Sequence, residues 1–155
     1  MDRALLARVL QGDEDAIARF GESDHCAVVD WRDDLPAIVE AVAPFLPNGY
    51  LRLEATPGLP PSLIAGGRPP QQVPASATRQ EDLISAVDRS LHPEFELRRF
   101  RPIDGDGYSL LVAPAELWAE LDRTSPAETE RYFLGAERLA KYWRKGFFAR
   151  LLSKP

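Results

Sequence analysis

The sequence predicts a single α+β domain over residues 1–155, in which helices cover one face of a mainly antiparallel sheet of four to six strands. Helix and strand patterns interleave as αα-β-α-β-β-β-α-β-β-α-α, with helical N- and C-terminal ends, and do not separate into two blocks. The length is sufficient to bury one core, and 45% hydrophobic with 28% charged residues is typical of globular chains. One domain is therefore the expectation.

The central unit of this predicted fold is Pro93 to Leu121. Three segments predict a β-hairpin: an alternating strand, a turn of Asp and Gly, and an apolar strand (Phe95–Arg101, Asp104–Gly107 and Tyr108–Ala113). A helix follows, with Trp118 at the centre of its apolar face. We predict that Trp118 fills the core between this helix and the hairpin.

The N-terminal stretch from Leu5 to Phe20 predicts two short helices, with Gly12 as the break and Asp13 as the cap of the second. With Gln11-Gly12-Asp13-Glu14-Asp15-Ala16 in its middle, it resembles the opening of extracytoplasmic-function sigma factors, which implies binding to DNA. The basic and aromatic segments expected next in that family do not follow Gly21, and the region is acidic instead. We therefore interpret the stretch as a helix hairpin and predict no nucleic-acid partner.

The next elements are a short strand at Cys26–Asp30, either buried on both sides or at a sheet edge, and a helix whose start is crowded by Asp30, Asp33 and Asp34. Carboxylates at a helix start interact favourably with its dipole, which gives these acids a structural interpretation. Three strands are predicted after that helix, at Tyr50–Ala55, Ser62–Ala65 and Gln71–Ala75. Between the last two, Gly66-Gly67-Arg68 is interpreted as a bend.

Two capping boxes predict the remaining helix starts. Thr78 with Glu81 begins a helix that His92-Pro93 ends, and Ser125 with Glu128 begins a long helix that continues towards the C-terminus. The apolar residues assigned to the inward face of that long helix are Tyr132, Phe133, Ala136, Leu139, Ala140 and Trp143.

Residues with catalytic chemistry do not occur at diagnostic spacings, so we predict no catalytic, cofactor-binding or metal-binding residue and no cofactor. Cys26 directly follows His25, and neighbours in a strand point to opposite faces. A zinc site would have only this thiol and the two histidines besides carboxylates. The sequence favours a protein that is not an enzyme.

The charge is divided unevenly along the chain. Residues 1–48 contain ten acidic and four basic residues, a net of −6, whereas residues 141–155 contain five basic residues and no acidic one. The basic tail is also amphipathic, which is typical of a helix that packs on its own domain, enters a partner's groove or lies on an anionic membrane. The candidate partner-binding residues of the tail are Trp143, Arg144, Lys145, Phe147, Phe148, Arg150 and Leu151.

These observations predict a small cytoplasmic interaction protein, such as an immunity or adaptor protein, whose acidic face with Asp30, Asp33 and Asp34 binds a basic protein. No signal peptide or membrane span is predicted, which indicates the cytoplasm. One alternative is an enzyme or anion-binding protein that uses the same aspartates and the strand arginines Arg98, Arg99 and Arg101. Another is association of the tail with an anionic membrane surface.

Overall fold

A computed structural model describes residues 2–21, 25–102 and 107–139 of the chain. The helices are α1 (Arg3–Leu10), α2 (Glu14–Gly21), α3 (Leu35–Val42), α4 (Gln80–Leu91), α5 (Ala115–Thr124) and α6 (Pro126–Tyr132), and residues 136–139 are also helical. The strands are β1 (Ala27–Asp30), β2 (Leu51–Glu54), β3 (Ser62–Ala65), β4 (Gln71–Gln72), β5 (Phe95–Phe100), β6 (Gly107–Pro114) and β7 (Phe133–Gly135).

The strands form two antiparallel sheets, so the predicted α+β class is confirmed. The larger sheet has the order β1-β6-β5-β7, and the smaller one has the order β2-β3-β4. Strands β5 and β6 form the predicted hairpin, with Leu97 opposite Val112. The predicted turn of this hairpin, Asp104–Gly107, lies outside the described residues except for Gly107, which begins β6.

Helices cover both faces of the larger sheet, so the prediction of one covered face was wrong. Leu97 and Leu110 belong to a core with α3, α4 and the smaller sheet, whereas Phe100 and Leu111 belong to a second core with α1, α2, α5 and α6. Strand β6 is buried continuously from Tyr108 to Ala113, because apolar side chains alternate to both faces. A strand with two apolar faces requires cover on both.

The predicted long C-terminal helix is interrupted by β7. Helix α6 ends at Tyr132, and Phe133 begins a strand in which Phe133 pairs with Phe100. The Arg101 N–H donates to the Tyr132 carbonyl at 2.9 Å, which fixes the start of this pairing. The apolar spacing fits a helix, but burial of Phe133 against Phe100 and Trp118 favours the strand.

Among the described residues, aspartate side chains cap three helix starts: Asp2 caps α1, Asp13 caps α2 and Asp34 caps α3. Asp13 accepts the Ala16 N–H at 3.0 Å, and Asp34 accepts the Ala37 N–H at 3.1 Å. Both predicted capping boxes were wrong. Helix α4 begins after Arg79 without a side-chain cap, and Ser125 precedes α6 with its carbonyl, not its hydroxyl, as the acceptor.

The bend at Gly66-Gly67-Arg68 carries a contact that its sequence did not predict. The Arg68 guanidinium donates to the carbonyls of Ser90 at 2.7 Å and Leu91 at 3.2 Å, and also to the carbonyl of His92. Arg68, which follows β3 of the smaller sheet, therefore caps the C-terminal end of α4. In the described ranges, no helix combines the length and apolar character needed to cross a membrane.

Candidate functional site

The predicted aspartate cluster forms a tight turn between β1 and α3, here called the Trp31 turn (residues 30–34). The Asp33 N–H donates to the Asp30 carbonyl at 3.0 Å, and the Asp33 carboxylate accepts the Asp30 N–H at 2.7 Å. The Asp30 carboxylate accepts from the N–H and the guanidinium of Arg32. The Arg32 N–H, followed by its guanidinium, lowers the pKa of Asp30, so this carboxylate stays ionised at neutral pH.

The Trp31 turn presents apolar surface to solvent. Trp31 is 60% exposed and Val28, on β1, is 66% exposed, while the Arg32 guanidinium lies 5.4 Å from the Trp31 ring centre. Strand β1 is at one edge of the larger sheet. The Asp30 N–H and carbonyl bond to Asp33, and the Gln80 side chain also donates to this carbonyl, which leaves both groups directed away from β6. In an antiparallel pair this pattern repeats at every second residue, so the backbone groups of Val28 point the same way.

The three aspartates therefore have local structural roles: Asp30 and Asp33 close the turn, and Asp34 caps α3. With Arg32, they leave a net charge of −2 around the exposed Trp31. Their role in binding a partner stays a prediction. The predicted tail residues, from Trp143 to Leu151, lie outside the described residues.

The strand arginines do not converge on one ligand. Arg98 forms a fork with the Asp122 carboxylate at 2.7 Å for both bonds, and its Nε lies 2.7 Å from Glu96. Arg99 points to the opposite face and lies over the Tyr108 ring, while Arg101 donates to the Glu130 carbonyl. These contacts lead to Glu96, Asp122, Tyr108 and Glu130, and none of them joins the arginines to Asp30, Asp33 or Asp34.

A second candidate is a cleft that the sequence did not predict, here called the Asp88 cleft, with a volume of 840 Å³. It lies where β7 ends, because β7 pairs only with Arg98–Phe100 and leaves the first half of β5 without a strand on that side. Its charged and polar lining comprises Gln71, Asp88, Arg89, His92, Glu96, Arg98, Asp122, Glu130, Glu137 and Arg138. The two ends of the cleft thus come from α4 and from α5–α6.

Asp88 is the most perturbed carboxyl group of this cleft. It is 3% exposed, and its Oδ1 accepts the Leu97 N–H at 2.7 Å. Asp88 thus takes the place of the neighbouring strand that β5 lacks at Leu97. Its Oδ2 lies 3.4 Å from His92 Nε2. Burial raises the pKa of Asp88 to about 6. The Leu97 N–H and His92 both favour the ionised form and so oppose this rise.

We expect the pKa of Asp88 to make stability depend on pH. The fold binds this proton more tightly than the unfolded chain does, so the contribution of Asp88 to stability is greatest below about pH 4 and is lost as pH rises through about 6. At pH 8, Asp88→Asn should match or exceed the wild type, since the amide oxygen still accepts the Leu97 N–H without a buried charge. Urea denaturation from pH 4 to 8 measures both effects.

The matched variant for this test is Asp88→Ala, which leaves the buried Leu97 N–H without its acceptor. It should lose about 1–3 kcal/mol at pH 8. If Asp88→Asn is as destabilised as Asp88→Ala at pH 8, the ionised carboxylate stabilises the fold and the expected direction is wrong.

The thiol of Cys26 is not placed for nucleophilic chemistry. Cys26 is buried among the apolar residues of the second core, and burial raises the pKa of its thiol to about 12. A thiol in this state is not a thiolate at neutral pH. In the described ranges, no group of three or more His, Cys, Asp or Glu residues is placed to hold a metal ion.

Comparisons with protein-family models, curated proteins and solved structures find no match to this chain.

Proposed function

We propose that the protein acts by binding a basic protein partner through the Trp31 turn, in the manner of an immunity or adaptor protein. The observation that carries this proposal is Trp31, which is 60% exposed on a turn whose backbone and carboxylates are held by internal hydrogen bonds. Tryptophan is enriched among the residues that dominate interface energies. A rigid turn that displays one loses little entropy on binding.

The charge of the turn favours a basic partner. Three aspartates and Arg32 leave a net charge of −2 next to the apolar surface of Trp31 and Val28. Opposite charges around an apolar centre steer association and discriminate against acidic proteins. Val28 adds a position at the sheet edge with outward backbone groups, where an extended segment can pair.

A binding experiment tests this function. The intact protein is used to isolate retained proteins from its source cells, and each is purified for measurement of its affinity. For the functional partner, Trp31→Ala should weaken binding at least about 30-fold, which corresponds to about 2 kcal/mol, and leave stability within about 0.5 kcal/mol.

Leu59→Ala is the matched control, because Leu59 is 62% exposed in the loop between β2 and β3 and is not part of the Trp31 turn. It should leave the affinity unchanged. Raising salt from about 0.05 to 0.5 M should slow association, since it screens the aspartates. The proposal would be contradicted by a partner that is acidic, or by one whose binding changes neither in Trp31→Ala nor with salt.

A further inference from the structure

The Asp88 cleft has the size and charge of a site for a small cation. Its volume of 840 Å³ is within the range of about 300–1,000 Å³ typical of small-molecule pockets. Five acidic residues and three arginines line it, which gives a net charge of −2 with His92 neutral. The floor is partly apolar, with Phe133, Gly135 and Ala136 from β7 and the residue after it.

Each arginine of the cleft already has a side-chain partner other than Asp88. Arg98 bonds Glu96 and Asp122, and Arg138 bonds Glu130 at 2.6 Å. Arg89 donates to the Ser85 hydroxyl at 2.8 Å. No arginine of the described residues forms an ion pair with Asp88, whose side-chain partner is His92 at 3.4 Å.

The Asp88 carboxylate is nine-tenths buried and lines the cleft with one oxygen poorly satisfied. The 3.4 Å separation between Oδ2 and His92 Nε2 exceeds the 2.7–3.2 Å of a good N–H···O bond. An asparagine would accept the Leu97 N–H equally well without the cost of a buried charge. A carboxylate differs from an amide at this position by its negative charge, which a cation can neutralise.

We propose that the Asp88 cleft binds a small polyamine-like cation, with one ammonium group against Asp88. An ammonium group brings up to three hydrogen-bond donors, and it is a permanently charged partner for the Asp88 carboxylate. The net charge of −2 calls for a ligand with at least two ammonium groups. Asp88 can receive one of them, and the three acids that share Arg98 and Arg138, which are Glu96, Asp122 and Glu130, can receive another. The carbon chain between them covers the apolar floor.

Titration calorimetry with spermidine, at constant ionic strength and pH 7.5, tests the proposal. We expect saturable binding and, at about 100 times the dissociation constant, a rise in Tm of roughly 5–10 °C. Asp88→Asn should weaken binding about tenfold or more. Asp34→Asn removes the same charge at the capped start of α3 and keeps an N-cap residue, so it should bind as the wild type does.

The variant His92→Gln tests whether Asp88 or His92 contacts the ammonium group of spermidine. It removes the group that competes for the Asp88 carboxylate, so affinity should stay the same or rise. Loss of binding in His92→Gln with full binding in Asp88→Asn would overturn the proposal, as would equal binding in all variants or a response that does not saturate.

Proton release gives a readout that a purely structural Asp88 would not produce. The charged and titratable groups around it are His92 and Arg89 on α4, Glu96 and Arg98 on β5, and Glu137 and Arg138 in residues 136–139. In His92→Gln the pKa of Asp88 should rise further, because His92 favours the ionised carboxylate, so this variant should release more than half a proton per spermidine bound at pH 6 and progressively less as pH rises to 8. Binding with no proton release at pH 6 would place the ammonium away from Asp88.

Discussion

Trp118→Ala should cost about 3–5 kcal/mol of unfolding free energy, the range of large aromatic truncations in cores. Trp118 is 0% exposed and packs its ring 5.2 Å from that of Phe133, centre to centre. The Arg98 guanidinium lies 4.5 Å from the indole on another side, and the indole N–H donates to the Glu96 carbonyl at 3.1 Å. The variant therefore loses the packing of α5 against both β5 and β7. Urea denaturation measures the loss.

Trp31→Ala is the control, since it removes the same atoms from a side chain that is 60% exposed. It should change stability by no more than about 0.5 kcal/mol. Trp118→Phe keeps a ring but removes the hydrogen bond to Glu96, and its cost should lie between those of the two alanine variants. A loss below about 1 kcal/mol in Trp118→Ala would show that α5 does not depend on this side chain.

The parts of the fold that the sequence predicted are those in which local pattern and burial agree. The alternation from Phe95 and the apolar run to Ala113 form the hairpin, and the spacing of Leu117 and Trp118 places both in the core. Asp13 and Asp34 cap the helices that they precede. Each of these features depends on residues close in sequence, so a single chain is enough to detect it.

Strand β7 could not be predicted in the same way. Tyr132, Phe133, Ala136 and Leu139 have helical spacing, and all four are buried, which fits the predicted inward face. These residues nevertheless do not share one long helix, because Tyr132 ends α6 and Phe133 pairs with Phe100, thirty-three positions earlier. Long-range pairing decides a strand of this length, and propensity alone does not.

The Asp88 cleft was missed because its residues meet only in the folded chain, although one signal was present. Asp88 follows Ile84 by four positions and precedes Leu91 by three, which places it on the buried face of α4. A charged residue on an apolar face is the type of exception that marks a candidate site. Its contact with Leu97 and the shortness of β7 have no counterpart in local sequence.

Arg68→Met should cost about 2–4 kcal/mol, because it removes charge-assisted hydrogen bonds from the end of α4. The side chain is half-buried and reaches three successive carbonyls from Ser90 to His92, and it also lies 3.2 Å from the Tyr50 hydroxyl. The last carbonyls of a helix have no partner within the helix. Arg68 therefore joins the smaller sheet to the helix that holds Asp88.

Arg68→Lys should recover only part of this loss, since a single ammonium cannot reproduce the fork of the guanidinium. Arg52→Met is the control: Arg52 is an exposed arginine on the neighbouring strand β2, and its loss should change stability by no more than about 0.5 kcal/mol. Urea denaturation gives the global loss, and hydrogen exchange should show faster opening of the last turn of α4. If Arg68→Met lies within about 0.5 kcal/mol of Arg52→Met, water replaces the guanidinium at no cost and the end of α4 does not need this contact.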